Sequence, residues 1–311
     1  MISKTPTASD ASATCNLQLA IFMTLREAIQ SAAERLAQDQ HLRDSARRDA
    51  ELLLQHRLNL TRAGLLANPA RSLTPTELQD YENLIARRLL HEPVQYITGV
   101  QEFYALPLRV TPAVLIPRPE TEHLVEAVLE RLPHDRPVTI VDIGTGSGAI
   151  ALALATHLPQ AAITAIDLSP AALEIAKANA HALELSSRVR FLVSDLLASL
   201  SPSEIHAGFD AIVSNPPYIP ASDASGLHPQ VREHEPRQAL FAGVDGLEIY
   251  RRLIPQAFKA LKPGGLLAVE IGHGQKNDLA TLLAGWTQVV FVDDLQSIPR
   301  VALARRTVNL V

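Results

Sequence analysis

The apolar run Val138-Thr139-Ile140-Val141-Asp142-Ile143 passes straight into Gly144-Thr145-Gly146-Ser147-Gly148, and no other stretch limits the available folds as strongly. A run this poor in polar residues predicts a strand buried on both faces, which means a largely parallel sheet covered by helices. The glycines let backbone approach a ligand closely, and a helix expected over residues 149–157 presents unpaired N–H groups at its start. Strand, glycine turn and helix form the cradle of a nucleotide-type cofactor, with Gly144, Thr145, Gly146, Ser147 and Gly148 as candidate binding residues. The spacing G-x-G-x-G is one residue short of the G-x-G-x-x-G of dinucleotide enzymes, so the turn alone does not identify the nucleotide.

Downstream, strand and helix patterns alternate. A strand over 162–166 ends at Asp167, placed about 20 residues beyond the glycines to accept ribose hydroxyls. The same aspartate suits a helix N-cap ahead of Pro170, and the two roles are compatible. A helix over 170–183 and a strand over 189–193 lead to Asp195 and Leu196, positioned to take an adenine amine and cover its ring; an ordinary loop aspartate is the competing reading. A fourth strand through Ala211, Ile212 and Val213 is ended by the prolines of Asn215-Pro216-Pro217-Tyr218, which cannot donate to a ladder. Residues 221–238 lack periodicity and read as a lid, binding loop or disordered loop. A helix over 246–261, a strand over 266–271, a helix over 275–284 and strands over 289–292 and 301–305 close the sheet.

Asn215 falls at a strand's carboxyl end, the edge where open α/β sheets bind ligands. It offers a side-chain carbonyl; Pro216 leaves its own carbonyl free on a locked backbone, and Tyr218 offers an aromatic face. Two rigid acceptors side by side suit both hydrogens of a planar –NH2 group. Such a group is a poor nucleophile when its lone pair is delocalised, and orientation can supply ~7–11 kcal/mol of a barrier. Asn215, Pro216 and Tyr218 are therefore the catalytic candidates, Asn215 to Tyr218 the substrate-binding candidates, and Asn215 also borders the cofactor. Loop punctuation is the plain alternative, weakened by the cofactor cradle upstream.

The 311 residues suggest two domains. A net charge of −5 argues against broad contact with nucleic acid. One cysteine, Cys15, excludes an internal disulfide and points to a reducing compartment such as the cytoplasm. No apolar run approaches the ~20 residues of a membrane helix, no metal is called for, and nothing demands more than a monomer. Residues 1–23 read as a disordered leader, with Met23 an alternative start. A helical bundle follows over 24–92. Thr24 and Glu27 form a capping box ahead of Leu25, Ala28, Ile29, Ala32 and Leu36, a second helix covers 42–58, and a third covers 75–91 after a loop. Arg87 and Arg88 read as a solvated face, with contact to an acidic partner as the alternative. Residues 94–97 and 102–110 predict short strands, a β-hairpin linker over 93–112 before an α/β domain over 113–311. IPRPETE at 116–122 opens a helix over 119–132, where Arg118, Glu120 and Glu122 either face a cofactor or serve the helix dipole.

Seven segments occur together: PVQYITG, IPRPETE, VDIGTGSG with Asp167, SNPPYI, EPRQAL, DGLEIYR and LKPGGLLAVEIG. Over residues 24–307 they resemble the class I S-adenosylmethionine methyltransferases of the HemK/PrmC family, the peptide-chain release factor glutamine methyltransferases. The resemblance implies a Rossmann-like α/β fold: a seven-stranded sheet with its last strand antiparallel, a small N-terminal helical bundle that recognises substrate, and a β-hairpin linker. It implies S-adenosylmethionine as cofactor and S-adenosylhomocysteine as product. The substrate implied is the glutamine of the Gly-Gly-Gln loop of bacterial class I release factors, which becomes N5-methylglutamine. Mapped by motif, Gly144 to Gly148 hold the methionine part, Asp167 the ribose, Leu196 the adenine neighbourhood and Asn215 to Tyr218 the glutamine. A base-amine methyltransferase acting on DNA or RNA is the nearest rival, but the acidic chain, 4% aromatic, lacks a nucleic-acid module. A nicotinamide oxidoreductase and a catalytically silent binding module fit less well.

Overall fold

The computed structural model describes residues 23–308. All of the expected leader except Met23, and Cys15 with it, lies outside them. The chain forms two compact units, one ending at Ala86 and the other beginning at Arg87.

The first unit is helical. In α1 (Leu25–Leu36) Glu27 Oε2 accepts the Thr24 N–H at 2.8 Å and Thr24 Oγ1 accepts the Glu27 N–H at 3.3 Å, closing the capping box. The apolar stripe predicted for this helix is its buried face. α2 (Ala46–Leu58) starts four residues later than expected, because residues 40–45 form turns. α3 (Arg62–Ala67) lies in a stretch expected to be loop; it is six residues long and buries only Leu65, too little to show as periodicity. α4 (Pro75–Leu89) packs Tyr81 inward, where its hydroxyl donates to the Ala50 carbonyl at 3.0 Å. Arg87, beyond the first unit, pairs with Glu92 at 2.6 Å. Arg88 is no solvated residue: it is 3% exposed and donates to the Glu92 carbonyl at 3.1 Å and Gln230 Oε1 at 3.2 Å.

The stretch expected to be a hairpin linker also differs from expectation. Residues 94–97 are not a strand but part of α5 (Val94–Thr98), which Pro93 opens with its fixed φ and which buries Val94, Tyr96 and Ile97. The hairpin is confined to β1 (Val100–Phe103) and β2 (Leu106–Arg109), joined by Tyr104 and Ala105 at φ 49° and 59°. Two left-handed residues give the turn a twist that matches its strands. IPRPETE forms a 3-10 turn (Pro119–Thr121) before the shorter helix α6 (Glu122–Leu129).

The sheet is built from β3 (Val138–Ile143), β4 (Ala161–Asp167), β5 (Val189–Val193), β6 (Phe209–Ser214), β7 (Leu261–Glu270), β8 (Thr287–Asp293) and β9 (Pro299–Arg305), in the order β5-β4-β3-β6-β7-β9-β8. β9 runs antiparallel to both its neighbours; the other pairings are parallel. The helices between them are α7 (Ala149–His157), α8 (Pro170–Ala182), α9 (Pro202–Ala207), α10 (Pro229–His234), α11 (Glu248–Ala260) and α12 (Lys276–Leu282). Alternate strand residues serve two cores, as the pleat requires. Ile140, Ala211, Val213 and Ala268 pack under α6 and α7, while Val141, Ile143, Ile212 and Val269 pack under α11 and α12. Residues 221–238, expected to be a lid, binding loop or disordered loop, carry 3-10 turns at Ala221–Gly226 and Arg237–Ala239 on either side of α10. Among the described residues no helix is long and apolar enough to cross a membrane.

Candidate active site

The strand order reverses beside β3: the chain winds outward through β4 and β5, then returns to place β6 on β3's other edge. Crevices at the carboxyl ends of strands form at such points. Here one cleft is lined by Gly144, Gly146, Asp167, Asp195, Leu196, Asn215, Pro216 and Pro217.

The turn after β3 is tied to the tip of β4. The Gly144 and Thr145 N–H groups donate to the Ile166 carbonyl at 2.8 and 2.9 Å. Asp167 completes the bracing: Oδ2 accepts the Gly146 N–H at 2.9 Å and Oδ1 the Ser169 N–H at 2.8 Å. Burial pushes the Asp167 carboxyl up, against the lowering by these backbone donors. Gly146 sits at φ +55°, and a Cβ there would meet nothing within 4 Å, so it would project into open space. Thr145, Ser147 and Gly148 do not line the cleft; they hold the turn. Thr145 Oγ1 donates to buried Asp142 Oδ2 at 2.6 Å, the Ser147 carbonyl accepts from Asn179 Nδ2 at 2.8 Å, and Gly148 packs on Leu152 and Ala176.

Asp195 lies at the cleft's rim, half exposed, with Oδ2 2.5 Å from Arg252. Leu196 is buried in a left-handed conformation at φ 51°, a strained backbone for a bulky residue of the kind that clusters at ligand sites. Leu168, 60% exposed, adds apolar wall that sequence reading did not single out. Arg118, Glu120 and Glu122 are not among the residues lining this cleft. Arg118 pairs with buried Glu235 at 2.7 Å, and Glu122 accepts the Tyr104 N–H at 2.8 Å.

Asn215 and Pro216 also belong to a second, adjoining pocket, which Tyr218 lines together with Leu115, Arg118, Leu227 and Leu240. The tetrad is held from several sides. Ser214 Oγ donates to the Ile143 carbonyl at 2.7 Å, the Tyr218 carbonyl accepts from Gln275 Nε2 at 3.1 Å, and Ile219 exchanges backbone hydrogen bonds with Leu240 and Ala242. Behind the tetrad Asn215 Nδ2 donates to Thr121 Oγ1 at 3.0 Å, Thr121 Oγ1 donates to Glu270 Oε2 at 2.6 Å, and the Tyr218 hydroxyl donates to Glu270 Oε1 at 3.3 Å. Burial raises Glu270 to about 7 and pushes the Tyr218 hydroxyl up as well. Thr121, Glu270, Asp142 and Asn179 escaped sequence analysis. IPRPETE and the VEIG segment contain two of them, but a hydrogen bond spanning 149 residues leaves no local pattern. Among the described residues no cluster of His, Cys, Asp or Glu could hold a metal ion.

Comparison with known proteins agrees with this architecture. Residues 27–99 match the family described as PrmC N-terminal domain and residues 121–228 the Methyltransferase small domain. The chain is 48% identical over 285 residues to the release factor glutamine methyltransferase of Koribacter versatilis, covering 91% of this chain and 99% of the relative. It is 47% identical to that of Moorella thermoacetica, with the same coverages. Two solved structures share the fold. The T. thermophilus 16S rRNA methyltransferase RsmC, in complex with AdoMet and guanosine, superposes with TM-score 0.51 at 20% identity, covering 67% of this chain and 49% of that one. The hMettl16 catalytic domain gives TM-score 0.52 at 17% identity, with coverages of 78% and 87%. A class I methyltransferase sheet, these two domain families and relatives matched along almost their whole length together place the chain in the release factor glutamine methyltransferase family.

Proposed function

We propose that this protein transfers a methyl group from S-adenosylmethionine to the side-chain amide nitrogen of the glutamine in the Gly-Gly-Gln motif of class I release factors, leaving S-adenosylhomocysteine. The observation that carries the reading is the shared wall: Asn215 and Pro216, with Leu115 and Ala239, line both the glycine-lined cleft and the adjoining pocket, so donor and acceptor meet across one wall that holds both proposed acceptors.

The cleft suits the cofactor. Left-handed Gly144 and Gly146 leave space that any side chain would fill. Asp167 retains acceptor capacity beyond its two backbone bonds for ribose hydroxyls. Leu168, Leu196 and Ile249 provide apolar walls for adenine, with Asp195 at the rim. Thr145, Ser147 and Gly148 keep the turn in shape. When bound, S-adenosylmethionine supplies a methyl group already activated on a sulfonium, so no leaving group needs activation by the protein. The work of this chain is orientation. Asn215 Oδ1 and the Pro216 carbonyl accept the two amide hydrogens, aim the nitrogen at the cleft and favour the positive charge that develops on it. Tyr218 confines the amide plane, and Pro217 stands on the cofactor side of the same wall.

A base amine would suit the same acceptors, but the net charge of −5 and the match to the PrmC N-terminal domain favour a protein substrate. In this reading the helices of residues 24–92 recognise the release factor, the hairpin region of 93–112 links them to the catalytic domain of 113–311, and a monomer working in the cytoplasm without nucleic-acid contact suffices. The test is methyl transfer from labelled S-adenosylmethionine to a release factor, the same factor with its loop glutamine replaced, and total nucleic acid. Label is expected in the first alone, and label in nucleic acid but not the factor overturns the reading. Asn215→Ala should lower turnover by roughly 100-fold or more while cofactor affinity stays nearly intact. Loss of cofactor binding instead would show that Asn215 serves the other pocket.

A further inference from the structure

We propose that Thr121 and Glu270 are positioning residues that lock the Asn215 amide with its oxygen toward the substrate; the inference rests on the amide-methylating function above. A threonine hydroxyl has one hydrogen to give. Thr121 Oγ1 lies 3.0 Å from Asn215 Nδ2 and 2.6 Å from Glu270 Oε2. An ionised Glu270 only accepts, so the Thr121 hydrogen goes to it and the Thr121 lone pair receives the Asn215 N–H. Asn215 Oδ1 is then the atom left to meet a substrate. The second Glu270 oxygen accepts from the Tyr218 hydroxyl, so one carboxylate orders both functional ends of the tetrad.

A proton on Oε2 reverses the chain. Glu270 then donates to Thr121, Thr121 donates to Asn215, and the amide rotates so that Oδ1 faces inward and Nδ2 faces the substrate N–H groups. The charged and titratable surroundings of Glu270 are Tyr218, Tyr250, Arg300 and Glu120. Tyr250 donates its hydroxyl to the Glu270 backbone carbonyl at 2.7 Å, Arg300 favours the ionised carboxylate, and Glu120 opposes it. Burial, at 2% exposure, outweighs the rest and brings the carboxyl to about 7. The orientation of Asn215 is thereby coupled to protonation in the neutral range.

The experiment measures kcat and KM for a release factor, and separately the dissociation constant for S-adenosylmethionine, in the wild type, Thr121→Val, Thr121→Ser and Glu270→Gln. Thr121→Val should lower kcat roughly 10–100-fold with cofactor affinity unchanged, and Thr121→Ser, which keeps the hydroxyl, should stay within about threefold of wild type. Wild-type kcat should fall as pH drops below about 7, and Glu270→Gln should be slow without that limb. Wild-type kcat in Thr121→Val, a flat wild-type profile, or the same limb retained in Glu270→Gln would each overturn the proposal. Should a variant fail to fold, the wild-type profile still decides. A wild type that methylates no release factor at any pH would instead refute the function itself.

Discussion

Gly246→Ala is the sharpest perturbation of the tetrad that leaves every proposed chemical group in place. Gly246 sits at φ +74°, and a Cβ built on it would lie 2.2 Å from the Tyr218 carbonyl oxygen, 3.1 Å from its carbon and 2.9 Å from Gln275 Nε2. The contact is with backbone, so the Tyr218 peptide must retreat by about 1 Å to restore van der Waals separation, and Gln275 loses its hold on that carbonyl. Alanine in a left-handed conformation costs about 1–2 kcal/mol by itself, and forced displacement of packed atoms adds about 1–3 kcal/mol. Gly274→Ala is the matched control: φ is +84° and nothing lies within 4 Å of the added Cβ, so it carries only the first cost. In urea unfolding Gly246→Ala should therefore be less stable than Gly274→Ala by the second amount. A displacement of 1 Å at a substrate-positioning residue lowers turnover by roughly 100-fold. Methyl transfer to a release factor should fall accordingly, while S-adenosylmethionine binding by calorimetry stays close to wild type. Equal stability losses in the two variants, with turnover unchanged in Gly246→Ala, would refute the claim that Gly246 sets the position of Tyr218.

Two further outcomes follow from the buried carboxylates. Asp167→Asn must turn an amide N–H toward either the Gly146 or the Ser169 N–H. Losing a charge-assisted bond of this kind costs about 1.5–3 kcal/mol, so calorimetry should show S-adenosylmethionine binding weakened by roughly 10–150-fold; unchanged affinity would exclude the bracing role. Burial raises the carboxyls of Asp142 and Glu270 to about 7, from ordinary values of 3.8 and 4.5. The folded protein thus binds more protons than the unfolded chain between those values and about 7, and stability falls as pH rises through that window. For Glu270 the gap corresponds to about 3 kcal/mol as an upper bound. Unfolding midpoints should be lower at about pH 8 than at about pH 5.5, and the reverse order would contradict the assignment.

What sequence could reveal here depended on how local each feature is. The run into Gly144 and the proline stop after Ser214 are written in adjacent residues, so the parallel sheet, its glycine turn and the position of Asn215 were all legible. The sequence reads residues 94–97 as a strand, yet Pro93 and left-handed Gly99 stand at the two ends of a five-residue helix in which Tyr96 is buried, its hydroxyl reaching the Val114 carbonyl at 2.6 Å. Arg88 was misjudged for a similar reason. Its side-chain partner Gln230 is 142 positions away in a segment without periodicity, and its nearby acceptor, the Glu92 backbone carbonyl, leaves no mark in the sequence. Thr121 and Glu270 show the limit most clearly: each looks ordinary in its own segment and acquires meaning only through the other.

The return of the chain to β3 bears on how the protein is made. Ser214 bonds to Ile143, and the two are separated by 71 residues. Until β6 has left the ribosome, the nascent sheet has β3 as its margin, a strand that sends apolar side chains into both cores and whose amides have no neighbour on one side. Such a border recruits other chains. Slowed synthesis between β5 and β6 should therefore promote aggregation more than a pause after β9, when β3, β6 and β7 are all flanked.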